Sequence, residues 1–141
     1  MRKSLIILGI LDDGDLEWLI ENGSGKQLQE GDYLLRQGRK VEAMYFLLDG
    51  SLSVELEKPK AKQLAEIESG EVVGEISLLD SRPSTASIRA LDESLLLEIR
   101  HDALKPKLET DLGFQARLYR SLGMFLAQRM RSTILALGYG E

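Results

Sequence analysis

The sequence predicts an α+β domain in which an antiparallel β barrel or jelly roll lies between an N-terminal helix and a long C-terminal helix. Three observations predict this class. Short runs rich in leucine, tyrosine, phenylalanine and valine alternate with Gly and Asp over 27–99. The turns between these runs are too short for the crossover helices of a parallel sheet. The last third of the chain changes to a helical period of apolar residues.

Length and composition indicate one globular domain. The chain has 141 residues, of which 43% are hydrophobic and 29% are charged. That is enough for a single core. We predict one domain over 1–141, with a helical N-terminal segment over 1–24, a β-roll over 25–100 and C-terminal helices over 101–137. The absence of cysteine excludes thiol catalysis, disulfides and thiolate metal sites.

The first helix and a hairpin carry clear local signals. Asp12 begins a short amphipathic helix that ends near Gly23. Asp49-Gly50 lies between apolar runs at 44–48 and 52–56 and predicts a β-hairpin. Further strands are predicted over 33–36, 63–67, 85–90 and 95–99.

The C-terminal third is predicted to be helical. A short piece over 103–108 is expected to break near Pro106. A long helix then begins after the N-cap Asp111 and ends near Leu137, followed by Gly138 and Gly140.

The apolar positions of the long helix form two adjoining faces: Phe114, Leu118, Leu122 and Phe125 on one, and Tyr119, Leu126, Met130 and Ile134 on the other. This arc is wider than one buried seam needs. We expect the first face to pack on the barrel. The second is predicted to meet a protein partner, most simply the same helix of a second copy, which makes 112–137 a candidate homodimer seam.

The segment 70–90 carries the clearest candidate for ligand chemistry. A Gly-Glu turn at Gly74 opens one helical turn, and the first N–H groups of a helix, here those of Ile76 and Ser77, lack intrahelical partners. Such groups suit an anion. Ser84 follows with a hydroxyl that allows close approach of a phosphate.

These residues resemble the phosphate-binding cassette of cyclic-nucleotide-binding domains. The resemblance is carried by Gly-Glu-Ile-Ser-Leu-Leu at 74–79 and Arg-Pro-Ser-Thr-Ala-Ser at 82–87, and upstream by the patterns at 31–34 and 45–54. It covers about residues 10–135. It implies an eight-stranded antiparallel jelly roll, a double-stranded β-helix, with helices before and after it.

The resemblance also implies roles for individual residues. Glu75 would hold a ribose hydroxyl, since a carboxylate accepts hydrogen bonds. The amides of Ile76, Ser77 and Thr85 would meet the cyclic phosphate of cAMP or cGMP. The Thr85 hydroxyl would lie beside the phosphate and the region that faces a guanine, so the resemblance does not choose between cAMP and cGMP. The C-terminal helix would close over the base or form a dimer seam.

Ser84 departs from the family pattern, which has an arginine at this position to pair with the cyclic phosphate. A guanidinium grips phosphate with charge-assisted, often bidentate hydrogen bonds, whereas a hydroxyl gives one neutral bond. Its loss costs about 1.5–3 kcal/mol, on the order of tenfold to a hundredfold in affinity. Arg82 and Arg129 are candidate substitutes, and an ion pair with an acidic residue is the alternative for Arg129.

We therefore predict a non-enzymatic sensor or regulatory domain that binds a cyclic nucleotide and signals through its C-terminal helix. The alternative is a degenerate domain that acts as a protein-interaction or dimerisation module. Catalysis is disfavoured because the single histidine, His101, stands at a predicted helix start as a surface or capping residue, with no metal cluster around it. No metal or other cofactor is expected.

Partners and location are also predicted from the residues. The net charge of −5 disfavours general nucleic-acid binding, and no helix-turn-helix is expected after Leu137. Arg2 and Lys3 precede an apolar run at 4–11, but this run stops at Asp12 without a cleavage site for a signal peptide. No run reaches the roughly 18 apolar residues of a membrane span. We predict a cytoplasmic protein.

Overall fold

The computed structural model describes residues 9–138, so the predicted apolar run at 4–11 lies largely outside the described residues. The elements in chain order are α1 (Asp13–Asn22), β1 (Ser24–Leu28), β2 (Tyr33–Leu35), β3 (Ala43–Asp49), β4 (Ser51–Leu56), β5 (Lys62–Glu68), β6 (Val72–Val73), α2 (Glu75–Asp80), β7 (Ser87–Ala90), β8 (Ser94–Arg100), α3 (His101–Thr110) and α4 (Leu112–Ala136). No helix among these described residues is long and apolar enough to cross a membrane.

The strands form two four-stranded sheets in which every pairing is antiparallel. The strand order is β1-β8-β3-β6 in the first sheet and β2-β7-β4-β5 in the second. Strands that follow one another in sequence mostly lie in opposite sheets, as in a jelly roll. The predicted fold class is confirmed.

Two apolar cores hold the sheets and helices together. Strand β3 contributes to both, because successive side chains of a strand point to opposite faces. Ala43, Tyr45 and Leu47 pack between the two sheets. Met44 and its neighbours on the other face pack against the helices, where Phe114 of α4 is fully buried. The face of α4 predicted to meet the barrel is therefore confirmed, while Tyr119 and Met130 on the adjoining face are exposed.

The predicted hairpin at Asp49-Gly50 is wrong. Strands β3 and β4 follow one another across Gly50, but they belong to different sheets. Both edges of β3 are already paired, with β6 and β8. Gly50 has φ 111°, and a Cβ there would lie 2.3 Å from the Ser94 hydroxyl oxygen. A glycine is therefore required where the chain turns from one sheet into the other.

Element boundaries also differ from the prediction in several places, among them the strand predicted over 85–90, which begins at Ser87. Helix α3 runs without a break from His101 to Thr110, with Pro106 inside it. Leu104 and Leu108, on either side of the proline, are buried in the core, and this packing opposes the roughly 3 kcal/mol that an internal proline costs. Strand β1 begins at Ser24, three residues before residue 27, where the predicted apolar runs begin. The long helix agrees with the prediction, since the Asp111 side chain accepts a hydrogen bond from the Phe114 amide.

An ion pair joins the first helix to the last. Arg117 of α4 donates to both carboxylate oxygens of Asp15 in α1, at 2.6 and 2.9 Å. Asp15 is only 4% exposed. The hydrogen bond from Arg117 holds the pKa of Asp15 below its ordinary value of 3.8, against the effect of burial. The pair therefore stabilises the fold at neutral pH.

Arg117→Gln is expected to lower the free energy of unfolding by about 2 kcal/mol at pH 7, because it leaves a buried carboxylate without its cation. Arg117 is itself partly exposed, which keeps the effect below that of a fully buried pair. Because the folded-state pKa of Asp15 is depressed, this contribution is present above pH 3.8 and is lost as the pH falls below it. Urea unfolding at pH 7 and pH 3 measures both. Arg120→Gln, on the exposed side of the same helix, is the control and should change neither value.

Candidate functional site

The cassette helix α2 begins at a glycine that the fold requires. Gly74 has φ 84°, and a Cβ built on it would lie 2.4 Å from the carbonyl oxygen of Ala43 in β3. The main chain therefore passes β3 too closely for any side chain at this position. Helix α2 covers the predicted single helical turn and extends it to Glu75–Asp80.

A cavity of about 210 Å³ lies beside this helix. All of the binding residues predicted from the sequence line it: Gly74, Glu75, Ile76, Ser77, Ser84 and Thr85, together with both candidate substitutes, Arg82 and Arg129. Its remaining wall is largely apolar, with the Asp80 carboxylate as the exception, and comes from Leu35, Val41, Val54, Ile67, Val73, Asp80, Pro83 and Ile88. The cavity thus combines a polar rim from the cassette with an apolar floor from the strands, which is the usual composition of a small-molecule site.

Glu75 is the most unusual group in the cavity wall. Its side chain is 2% exposed, and its Oε2 atom accepts no hydrogen bond from the described residues. Burial raises the pKa of Glu75, and the nearby positive charge of Arg129 partly opposes this shift. A buried carboxylate oxygen without a donor costs on the order of 1–3 kcal/mol or more. The site therefore contains an acceptor that a hydroxyl donor would stabilise.

Arg129 reaches the cavity from the long helix α4. Its guanidinium lies 3.5 Å from a carboxylate oxygen of Glu71 and 3.9 Å from Oε1 of Glu75. It also lies 3.5 Å from the carbonyl oxygen of Val72 and stacks on the Phe125 ring, 4.6 Å from its centroid. The predicted alternative of an ion pair with an acidic residue is confirmed. These contacts are long, and they leave Arg129 at the cavity wall.

The hydroxyls of the cassette hold its loop together. The Ser84 hydroxyl donates to the carbonyl of Ala86 at 2.6 Å, and the Ser77 hydroxyl donates to the carbonyl of Arg82 at 2.8 Å. The main chain of Ser84 pairs with that of Gly38 and Arg39 on the neighbouring loop. Both hydroxyl donors are therefore engaged within the protein.

The two remaining polar groups of the cassette are accessible. Thr85 is exposed at the rim of the cavity. The Arg82 guanidinium forms no ion pair with any of the residues from 9 to 138. An incoming anion would therefore meet these two side chains without first breaking a salt bridge.

Two polar residues that contact the cavity wall from outside were not predicted from the sequence to do so. Glu71 is 3% exposed, accepts a hydrogen bond from the Glu68 amide at 2.7 Å and pairs with Arg129. His101, expected at the surface, is instead buried, with its Nε2 atom 3.2 Å from the Gly74 carbonyl oxygen. The spacing of Glu71 four residues before Glu75 was the only local signal. The sequence around His101 carries no such signal, because its contact is with Gly74, which lies 27 residues earlier in the chain.

The two antiparallel sheets, the cassette helix and the long C-terminal helix define a β jelly roll with a helical insertion at a cavity. Residues 25–111 match the family model described as "Cyclic nucleotide-binding domain". The chain therefore belongs to the cyclic nucleotide-binding domain family, as the resemblance of its cassette predicted. Domains of this family have regulatory roles, as in the regulatory subunits of protein kinases.

Individual relatives agree with this family assignment. The N-terminal domain of a transcriptional regulator from Streptomyces coelicolor is 30% identical, with a TM-score of 0.74, and the match covers 91% of this chain and 90% of that one. A cyclic nucleotide-binding domain from Methylobacillus flagellatus is similar in fold, with a TM-score of 0.83 at 20% identity, over 99% of this chain and 86% of that one.

Among curated proteins, the cAMP-dependent protein kinase type II regulatory subunit of Drosophila melanogaster is 30% identical over 66 residues, which is 46% of this chain and 18% of that protein. The chain spans about a fifth of the length of the first curated relatives that it matches, 18% to 21%. The similarity therefore concerns this domain and does not extend to the other parts of those proteins.

Proposed function

We propose that the chain is a non-enzymatic sensor domain that binds a cyclic nucleotide, cAMP or cGMP, in the cassette cavity without a metal or other cofactor. The observation that carries this proposal is Glu75, a buried carboxylate whose Oε2 atom lacks a hydrogen-bond donor among the described residues. A ribose hydroxyl supplies the missing donor. Native proteins leave few buried polar atoms without a partner, so an acceptor of this kind at a cavity wall favours a ligand.

The cyclic phosphate would lie against the cassette, beside Glu75. There it would meet the amides of Ile76, Ser77 and Thr85. Since the Ser84 hydroxyl already donates to the Ala86 carbonyl, it offers the phosphate no donor without breaking that bond. Arg82 is the better placed cation, because it lines the cavity and has no salt bridge in the described part of the chain. We therefore assign Arg82 the partial replacement of the family arginine.

Signalling would pass through Arg129. This residue connects α4 to Glu71 and Glu75 by contacts of 3.5 and 3.9 Å. A ribose hydroxyl on Oε2 of Glu75 would reduce the negative charge that Arg129 meets at Oε1 of the same carboxylate. Binding would thus weaken the attraction between Arg129 and Glu75 that helps to hold α4 against the cavity. A ligand shifts the position of a helix only when it makes different contacts in the two positions.

The test is a thermal-shift titration with cAMP and cGMP on the wild type and on Glu75→Gln. A ligand that binds only the folded state raises the melting temperature. The wild type is expected to respond, and Glu75→Gln, which loses the charged acceptor, should bind at least about tenfold more weakly. Glu109→Gln, on the exposed face of α3, is the matched control and should respond like the wild type. Equal responses of the wild type, Glu75→Gln and Glu109→Gln would contradict the role of Glu75.

A second function is favoured by one observation on α4. Tyr119, Met130 and Ile134 expose a large part of their apolar side chains along one face of the helix. If the cavity binds no nucleotide, we propose that this face makes the domain a dimerisation or protein-interaction module. Sedimentation and thermal melting with and without cAMP separate the two functions: a sensor changes its assembly or its melting temperature with ligand, and a docking module changes neither.

A further inference from the structure

A second cavity lies on the other side of the cassette loop, near the start of α3. It measures about 240 Å³. Four of its lining residues carry a positive charge and come from four different parts of the chain: Lys40 before β3, Arg82 in the cassette loop, Arg100 at the end of β8 and Lys105 in α3. The fold therefore concentrates cationic side chains here that are far apart in sequence.

The charge of this cavity is positive although the chain as a whole is acidic. Two carboxylates, Glu42 and Asp102, share the lining. Asp102 pairs with Arg100 at 3.4 Å, and both side chains are largely exposed. Lys40, Arg82 and Lys105 form no ion pair with any residue between 9 and 138. In a protein with a net charge of −5, this is a local excess of unpaired cations.

Uncharged donors in the same cavity wall add to this excess. Arg100 is the N-cap of α3 and supplies no side-chain capping bond; the His101 amide donates to the Glu42 carbonyl at 2.9 Å, and the N–H groups that follow it in the first turn lack intrahelical partners. His101 also lines the cavity, but its ring is buried with Nε2 against the Gly74 carbonyl oxygen, so it lies next to a bound anion without adding a donor. Cations from several elements around these backbone donors form a cluster that can make charge-assisted hydrogen bonds to an oxyanion.

We propose that this cavity is a second anion site, which binds free phosphate or a small phosphate ester. Its lining is charged or polar except for Val41 and offers no apolar floor for a base, so a compact anion fits it better than a whole nucleotide. The site adjoins the proposed nucleotide cavity and shares Ser77 and Arg82 with it, but anion binding here does not require a bound nucleotide.

The two cavities are nevertheless in physical contact. Ser77 and Arg82 line both of them. The His101 ring lies 3.2 Å from the carbonyl oxygen of Gly74, the residue at which the cassette helix begins. An anion that draws Arg82 toward the second cavity removes a cation from the first, so phosphate is expected to weaken cyclic-nucleotide binding.

The test uses the single histidine of the chain as an NMR reporter. Inorganic phosphate, pyrophosphate and glycerol phosphate are titrated separately at fixed pH and at ionic strength held constant with KCl, since salt screens exposed charges. We expect a saturable shift of the His101 Hε1 resonance. In Lys40→Gln/Lys105→Gln the apparent Kd should rise by about tenfold, because two charge-assisted contacts are lost. Lys62→Gln, on the exposed strand β5, is the control and should titrate like the wild type.

The outcomes separate this proposal from the proposed function. Glu75→Gln should keep the phosphate response even though its nucleotide binding is impaired. A tighter Kd for glycerol phosphate than for inorganic phosphate would identify an ester as the preferred occupant, and the reverse order would identify free phosphate. A His101 resonance that shows no saturable shift with any of the three anions would overturn the proposal. Equal Kd values for the wild type and the double lysine variant would do the same.

Discussion

Ser84→Arg is expected to raise the affinity of the domain for cAMP and cGMP by about tenfold to a hundredfold. Ser84 lines the cassette cavity at the position where the family places its phosphate-binding arginine. A guanidinium there adds a charge-assisted and often bidentate contact to the cyclic phosphate. The substitution therefore restores an interaction that the wild-type hydroxyl, which is bonded to Ala86, does not supply.

The structure accommodates this change at small cost. The main-chain bonds that hold this segment, between Ser84 and the backbone of Gly38 and Arg39, do not involve the side chain. Only the hydroxyl bond to the Ala86 carbonyl is lost, worth about 0.5–1.5 kcal/mol. Ser84 is half-buried at the rim, so a longer side chain can extend into the cavity or toward solvent.

Isothermal titration calorimetry with each nucleotide measures the effect, and Ser24→Arg provides the control. Ser24 is exposed on the edge strand β1, where an added arginine changes the net charge by the same amount without entering the cavity. If Ser84→Arg and Ser24→Arg bind equally, the gain is not local and the cassette does not hold the phosphate. If wild type already binds as tightly as Ser84→Arg, Arg82 or Arg129 supplies the missing charge in full.

The parts of the fold that depend on local sequence could be predicted, and those that depend on distant pairing could not. Helix α4 was predictable because an N-cap at Asp111 and an apolar period lie within the helix itself. The hairpin at Asp49-Gly50 was wrong because its turn signal is local, whereas β3 pairs with β6 and β8. A turn dipeptide specifies a change of direction and does not specify which strand lies alongside.

The site shows the same division. The cassette residues were predictable because they are contiguous in sequence and resemble a known pattern. The role of Arg129 was left as two alternatives, since a helical period gives the face of a residue but not the group opposite to it. His101 was placed at the surface because nothing in its neighbourhood indicates the Gly74 carbonyl. The groups that connect the cavity to the helices were therefore visible only in the folded structure.

Gly74→Ala is expected to lower the free energy of unfolding by about 2–5 kcal/mol. Two physical effects combine. An alanine at φ 84° pays about 1–2 kcal/mol for a left-handed conformation. The new Cβ would also lie 2.4 Å from the backbone oxygen of Ala43, and displacing packed main chain costs about 1–3 kcal/mol more. The melting temperature should fall by roughly 10 °C.

Gly31→Ala is the matched control for this prediction. Gly31 has a similar φ of 90°, but a Cβ there meets no atom within 4 Å. It should therefore lose only the conformational part, about 1–2 kcal/mol. The difference between the two variants, measured by urea unfolding, isolates the contact between the cassette and β3. If both variants lose the same free energy, the close approach of Gly74 to Ala43 does not hold the cassette. In that case the position of Glu75, one residue further on, would have to be fixed by its own burial and by Arg129.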